Sequence, residues 1–203
     1  MLLISIEEFI IAFDTSFKKN NLHDPWEITN QLKTILNELL PNCKKEFIIE
    51  NGIAIHQSAV IHERAILAAP VIINANCFVG ANAILRGGVF LGNESVIGSG
   101  CEIKSSIIMN YSSIAHLNFI GDSIIGSNVN FEAGAICANH YNERKGKKIS
   151  VFYNAEIINT GIEKFGSLVG DHSKIGANAV LSPGTLLKKN TIVKRLELIE
   201  QVK

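Results

Sequence analysis

The sequence predicts a mainly β fold, a parallel prism of stacked hexapeptide rungs preceded by an N-terminal α-helical cap. Three observations carry this. Ile55, Ile61, Leu67, Ile73, Val79, Leu85, Leu91, Ile97, Ile103 and Met109 recur every six residues. Four residues after each of the earlier ones stand small or β-branched side chains: Ala59, Ala65, Val71, Cys77, Ala83, Val89, Ser95 and Cys101. The residues before Ile55 lack that rhythm and carry helix-start signals instead. Six is neither a helical period nor a simple strand period, so the pattern is an internal repeat. Physically, each hexapeptide makes one wall and three make a coil, and residues 18 apart stack at about 4.8 Å. The bulky aliphatic fills a corner, and the small residue keeps the three walls from colliding inside.

Residues 1–48 form the cap and linker in this reading. Ser5-Ile6-Glu7-Glu8 fits a capping box with acidic residues in the first turn. Asp24 precedes Pro25 as a capping residue before a proline at the first helical position. Trp26, Ile28, Leu32, Ile35, Leu36 and Leu39 then make one apolar stripe, ended by Pro41. Such a stripe needs something to cover, and the open end of the prism is the expected place. Residues 49–203 form the prism. After Met109 the expected inward residues are Ala115, Ile120 and Ile125, so two rungs are one residue short. The phase resumes at Phe131 and Cys137, breaks, and returns at Val169, Ile175, Leu181, Leu187 and Val193. Residues 139–166 are therefore an excursion from the prism, and the final LELIEQVK reads as a short terminal cap. A solenoid leaves flat walls open, so lateral association is expected.

At 203 residues the chain holds one large or two small domains. Nineteen Lys and Arg balance nineteen Asp and Glu, which excludes a whole-molecule field for nucleic acid or an anionic membrane. The four cysteines form no CxxC pair, and Cys77 and Cys101 fall on repeat positions, so they read as small buried thiols. MLLISIEEFI lacks a basic n-region, and no apolar run reaches membrane-spanning length. A cytoplasmic setting is the expectation.

The chemistry gathers between Met109 and His140. His116 sits where the rhythm breaks, Asn130 and Asn139 follow, and Arg144, Lys145, Lys147 and Lys148 come next. One titratable imidazole, two carboxamides and a cation cluster suit a base acting on an anionic substrate. By residue type alone, other readings stay open. A single histidine in a repeat turn is often structural or solvated, and a cation run is often a solvated loop. Asn130 and Asn139 also suit turn positions with left-handed backbone.

The hexapeptide rungs followed by AHLNFIGDSIIGSNVNFEAGAICAN resemble the acetyltransferase domain of the bifunctional glucosamine-1-phosphate acetyltransferase/N-acetylglucosamine-1-phosphate uridylyltransferases. The resemblance covers roughly residues 50–195, and KKISVFYNAEIINTGIEKFGSLVGD is similar to the archaeal-type branch. Asp24-Pro25-Trp26-Glu27 is similar to the PWD-type helix that links the two domains there. No GxGTR…PK nucleotide signature occurs, so uridylyltransferase activity is not implied. The resemblance implies a left-handed parallel β-helix and a homotrimer that binds acetyl-CoA between neighbouring subunits. Periodicity fixes neither hand nor oligomer, and crossover statistics favour the right hand.

The resemblance also implies roles. His116 matches the general base. Arg86 and Lys104 match the cations that hold the substrate phosphate, and Asn130, Asn139, Lys145 and Lys148 match further site positions. Small residues such as Ala133 and Ala177 leave room for a pantetheine arm. Two positions depart from the family. Phe119 replaces a tyrosine that touches substrate, and Glu132 replaces a glycine. Glu132 is expected one coil from His116 at the equivalent place, where it either orients the imidazole, repels an anion or is solvated. The implied function is an acetyl-CoA-dependent N-acetyltransferase acting on an amino-sugar phosphate, glucosamine 1-phosphate. Here His116 takes the amine proton while backbone N–H groups and Asn139 hold the oxyanion. Acyl transfer to another phosphorylated or nucleotide-linked sugar stands as an alternative, as does a non-catalytic sugar-phosphate-binding or scaffolding module. No metal is expected. Zinc-type hexapeptide hydratases need three histidines, two of them five apart, whereas His56 and His62 are six apart.

Overall fold

A computed structural model of the chain describes residues 4–18, 24–43 and 45–202. The first three residues of the N-terminal stretch and the last residue of the C-terminal one lie outside the described residues. From Ile53 onward the chain winds as a parallel β-solenoid with three walls. The first wall stacks Val60–Ile61, Phe78–Val79, Val96–Ile97, Ser113–Ile114, Asn130–Phe131, Lys174–Ile175 and Ile192–Val193. The second runs from Ile66–Leu67 through Phe119–Gly121 and Ile136–Cys137 to Leu198–Ile199. The third runs from Ile53–His56 through Val71–Ile73, Ile124–Ile125 and Ser167–Val169 to Thr185–Leu187. Two longer strands, Ile84–Leu91 and Glu102–Ile108, turn the corner from the second wall to the third.

The interior is the aliphatic column the repeat predicts. Ile73, Val79, Leu85, Leu91, Ile97 and Ile103 are each fully buried. The small positions between them also satisfy backbone. Cys77 Sγ donates to Gly92 O at 2.9 Å, Ser95 Oγ to Met109 O at 3.0 Å and Cys101 Sγ to Ala115 O at 2.8 Å. A residue that only filled space would leave those inner carbonyls to their backbone partners alone.

Two rungs are indeed short, but only one of them falls where expected. Arg86 pairs with Lys104 at 18 residues, while Val89 pairs with Ser106 at 17, so the irregularity lies before Met109. Ile108 and Ile114 point inward, and Met109 belongs to a second, outer core while Ala115 is only half-buried. The other short step lies between Ile120 and Ile125.

The outer core corrects the placing of the cap. Ala54, Ile72, Ile107, Ile124, Leu168 and Leu186, on the third wall's outer face, cluster with Phe9, Phe17, Trp26, Ile28, Leu32 and Leu36. The N-terminal segment thus lies along a flank of the prism, because that wall alone carries a continuous outward apolar stripe. Asp24 makes a full capping box with Glu27 at the head of α1 (Pro25–Asn30), and α2 (Leu32–Leu39) follows after a break at Gln31. The Ser5 box does not form. Ser5 makes no side-chain cap bond, its hydroxyl goes to Glu7, and only a short 3-10 turn follows. The final stretch is no cap either, since Leu198–Ile199 pairs with Val180–Leu181 as one more rung.

The excursion leaves at Ala138 and contains an antiparallel hairpin, Ser150–Tyr153 with Glu156–Asn159. It returns under Trp26, whose ring meets Phe165 edge-on at 6.0 Å.

Burial pushes the Cys77 thiol up to about 11 and the Cys137 thiol up to about 12. Cys77, Cys101 and Cys137 are therefore expected to resist alkylation at pH 8, and only half-buried Cys43 should react. Thiol titration in native buffer and then in denaturant checks this. More than one fast native thiol contradicts the buried column.

Candidate functional site

The corner between the second and third walls turns through left-handed backbone in successive coils, at Gly87 (φ 77°), Ser105 (φ 48°) and Asp122 (φ 46°). That turn aims the flanking side chains out of the same edge. Lys104 stacks on Arg86 and Gly121 in register. Its Nζ donates to Asp122 Oδ2 at 2.6 Å, with the lysine side chain 17% and the aspartate 7% exposed. Asn139 Nδ2 donates to the same carboxylate oxygen, and Asn139 Oδ1 lies 3.2 Å from His140 Nδ1. Arg86 grips Glu102, with Nε at 2.6 Å and Nη2 at 2.5 Å from one carboxylate oxygen. Three of the expected site residues, Arg86, Lys104 and Asn139, thus share one edge, but each cation is already paired with a carboxylate.

Gly121 shapes this patch. A Cβ there would lie 2.7 Å from Phe119 Cε1 and 2.9 Å from Asn139 Cγ, so only a hydrogen lets the ring and the carboxamide flank it. Both ends of the excursion fasten here too. Phe165 N donates to Asn139 O at 3.0 Å, and Gly166 N to Asp122 O at 2.9 Å.

His116 lies elsewhere, at the corner between the first and second walls. Its ring folds over Gly98, where a Cβ would come within 3.2 Å of Nδ1 and 2.0 Å of Ala115 O. The next residue, Leu117, holds φ 57° and is exposed, strained backbone at a position taken by Gly100 and Gly134 in the adjoining coils. The strand Phe119–Gly121 lies between His116 and Asp122. Among the described residues no hydrogen bond or ion pair joins the imidazole to the Lys104–Asp122–Asn139 cluster.

The remaining expected residues divide as follows. Asn130 is an exposed strand residue of the first wall, paired with Ser113 and Lys174. Neither Asn130 nor Asn139 has the left-handed backbone considered for them; Asn76, Asn82, Asn128, Asn178 and Asn190 do. Ala133 and Ala177 stack above His116, since Ile114 pairs with Phe131 and Phe131 with Ile175. That register puts Glu132 above Ala115, one place away from the expected position. Glu132 is tied to Arg195 and is not a lone solvated group. Lys145 and Lys148 are exposed on the excursion. Arg144 is taken out of the cation cluster, stacked 3.5 Å over the Tyr141 ring and paired with Glu200 at 3.1 Å.

The sequence reading missed Asp122, Gly121 and Glu102. Asp122 was findable, because it stands one residue past Gly121, the register partner of Lys104. Among the described residues no three His, Cys, Asp or Glu side chains gather as a metal would need, and no helix is long and apolar enough to cross a membrane.

A family model described as the GMPPB C-terminal domain matches residues 67–162. The bifunctional sugar-1-phosphate nucleotidylyltransferase/acetyltransferase of Sulfurisphaera tokodaii is 37% identical over 165 residues, 79% of this chain and 41% of that protein. The bifunctional protein GlmU of Methanocaldococcus jannaschii is 35% identical over 186 residues, 90% of this chain and 45% of that protein. A crystal structure of a hexapeptide transferase family protein from Anaplasma phagocytophilum matches with a TM-score of 0.53 at 20% identity, over 76% of this chain and 79% of that one. It shares the fold.

Gly121→Val is expected to cost about 1–3 kcal/mol of unfolding free energy by driving Phe119 and Asn139 apart. Denaturant unfolding checks this, and wild-type stability would contradict the packing described. The chain spans less than half the length of the bifunctional relatives it matches, and it is a hexapeptide-repeat β-solenoid similar to their C-terminal region.

Proposed function

We propose that this chain carries an acetyl-CoA-dependent N-acetyltransferase site for a phosphorylated amino sugar, with glucosamine 1-phosphate as the acceptor. The observation that carries the reading is the split site. Exposed His116 stands on one edge of the second wall and Asn139, only 6% exposed beside Asp122, on the other. The third wall is buried under the N-terminal segment, whereas the first and second expose shorter apolar patches, Val60, Phe78 and Val96 on one and Ile66, Ile136 and Leu198 on the other. Such patches favour neighbouring copies. A closed homotrimer bringing the His116 edge of one chain to the Asn139 edge of the next completes the constellation.

The chemistry then follows from the residues. The acceptor nitrogen attacks the thioester carbonyl carbon, and His116 takes the proton that the nitrogen loses. The C–N bond forms, the C–S bond breaks, and the leaving thiolate takes that proton from the imidazolium. Proton transfer of this kind is worth about 10²–10⁴-fold. The Asn139 carboxamide, held in place by Asp122, is suited to the carbonyl or the developing oxyanion. The column His116, Ala133, Ala177 offers a track of small residues for the extended arm of acetyl-CoA. Beside it, a cavity of about 460 Å³ lined by Asn130, Lys174 and Lys194 suits an anionic carrier.

One observation favours a second acceptor. Arg86 and Lys104 are each neutralised by a carboxylate, Glu102 and Asp122, and Phe119 carries no hydroxyl. A nucleotide-linked amino sugar keeps a phosphate on its anomeric oxygen, but as a singly charged diester, and so places less demand on those two cations than the phosphomonoester of a sugar 1-phosphate does. A non-catalytic sugar-phosphate-binding module is the reading left if turnover is absent.

Thiol release from acetyl-CoA over a panel of amino-sugar phosphates and nucleotide-linked amino sugars tests the proposal. His116→Ala is expected to lower turnover by at least about 100-fold. Undiminished activity in that variant removes the base and the mechanism with it.

A further inference from the structure

Glu132 is an exception within the chain's own repeat. The position after each inward residue of the first wall is His62 in the first coil and Lys194 in the last, and between these ends it is Gly80, Gly98, Ala115, Glu132 and Gly176. Stacking makes this column tight. A Cβ would meet Ser99 N at 2.9 Å from Gly80, Ala115 O at 2.0 Å from Gly98 and Arg195 N at 2.5 Å from Gly176. Into this run of the smallest residues the sequence inserts a carboxylate.

That carboxylate is fully engaged. Glu132 Oε2 accepts from Ala177 N at 2.9 Å and from Arg195 Nε at 2.7 Å, and Oε1 accepts from Arg195 Nη2 at 2.6 Å. Arg195 stands two coils from Glu132, so the forked pair crosses the Gly176–Ala177 rung, a span of about 10 Å. Both side chains are well exposed, 36% for the glutamate and 72% for the arginine. The pair borders the cavity that also holds Lys174 and Lys194, so three cations there face one carboxylate. A planar guanidinium accepts a carboxylate or a phosphate in the same two-point geometry. An exposed pair between two such groups costs little to open.

We propose that Glu132 is a built-in competitor for the anionic acyl carrier: it holds Arg195 closed across the Ala133–Ala177 track, and acyl-CoA enters by exchanging one of its phosphates for the Glu132 carboxylate. This rests on the acetyl-transfer reading above. A binding-competent state that is only partly populated weakens apparent affinity by that fraction. Removing the competitor therefore tightens carrier binding, whereas removing Arg195 takes away the latch and the phosphate partner together.

The test measures CoA affinity by calorimetry and KM for acetyl-CoA on the purified full-length protein. Glu132→Gln and Glu132→Gly are compared with Arg195→Ala and with the Glu132→Gln/Arg195→Ala double variant. Glu132→Gln keeps the shape should the glycine variant fold poorly. Both Glu132 variants are expected to bind CoA about fivefold tighter or more. Arg195→Ala should not tighten it, and the gain should vanish in the double variant. CoA affinity unchanged on removing Glu132 overturns the latch, because a pair that only braces the last coils would alter stability alone. Tightening in Arg195→Ala overturns it too, since that is the behaviour of a passive lid. A wild-type protein that neither binds CoA nor releases thiol sinks the acetyl-transfer reading itself, and the latch with it. Turnover with indifferent Glu132 variants sinks only the latch.

Discussion

Parallel hydrogen bonding of each short strand to its copy one coil away is the constraint on which the rest of the structure depends. Most rungs are strands of two or three residues, too short to hold a conformation alone. The ladder fixes each against the next at 17 or 18 residues, or at 44 where the excursion intervenes. Every column of side chains then becomes a row of neighbours set by register. Lys104 with Asp122, Ser105 with Gly87 and Glu132 with Arg195 are all contacts between coils, made by residues far apart in sequence.

The same ladder explains why the functional groups are divided. A residue at one edge of a wall cannot reach the other edge, because the intervening strand is extended. The chain covers its third wall with α1, α2 and the base of the excursion, anchored by Trp26 on Phe165 and by Asp171, whose carboxylate accepts from Ile11 N at 2.9 Å and Ser127 N at 2.7 Å. What remains open are the two walls that meet at His116. At the far edge Arg86 and Lys104 are paired with Glu102 and Asp122, and along the His116 column Arg195 is paired with Glu132.

Much of the fold was legible because a six-residue rhythm has few physical solutions. Ile73 to Ile103 sit inside as expected, and Asp24-Pro25 starts a helix as capping chemistry requires. The failures share a cause, which is local contrast too weak to place a boundary. Ile107, Ile108 and Met109 are all apolar, so the sequence pattern could not say which one turns inward. The misplaced short rung then shifted Ala115 and His116 by one position, so that Ala115 and not His116 stacks with Glu132. Ser5 had the right residue pattern for a cap, yet a turn too short to need one. The site was harder to read. His116 and Asn139 stood out by type and Lys104 through the family resemblance, whereas the pairing of Lys104 and Asn139 with Asp122 depends on side-chain reach between coils. Gly121, which makes room for Phe119 and Asn139, has no chemistry of its own to draw attention.

Mixed assembly offers the most direct test of a site divided between chains. His116→Ala and Asn139→Ala are each to be made separately, and then co-expressed so that oligomers contain both. If one chain's imidazole works with its neighbour's carboxamide, mixed oligomers regain about a quarter of wild-type acetyl transfer, the share of interfaces at which both intact edges meet at random. Co-expressed protein no more active than either variant alone would contradict the division and require both groups to act within a single chain.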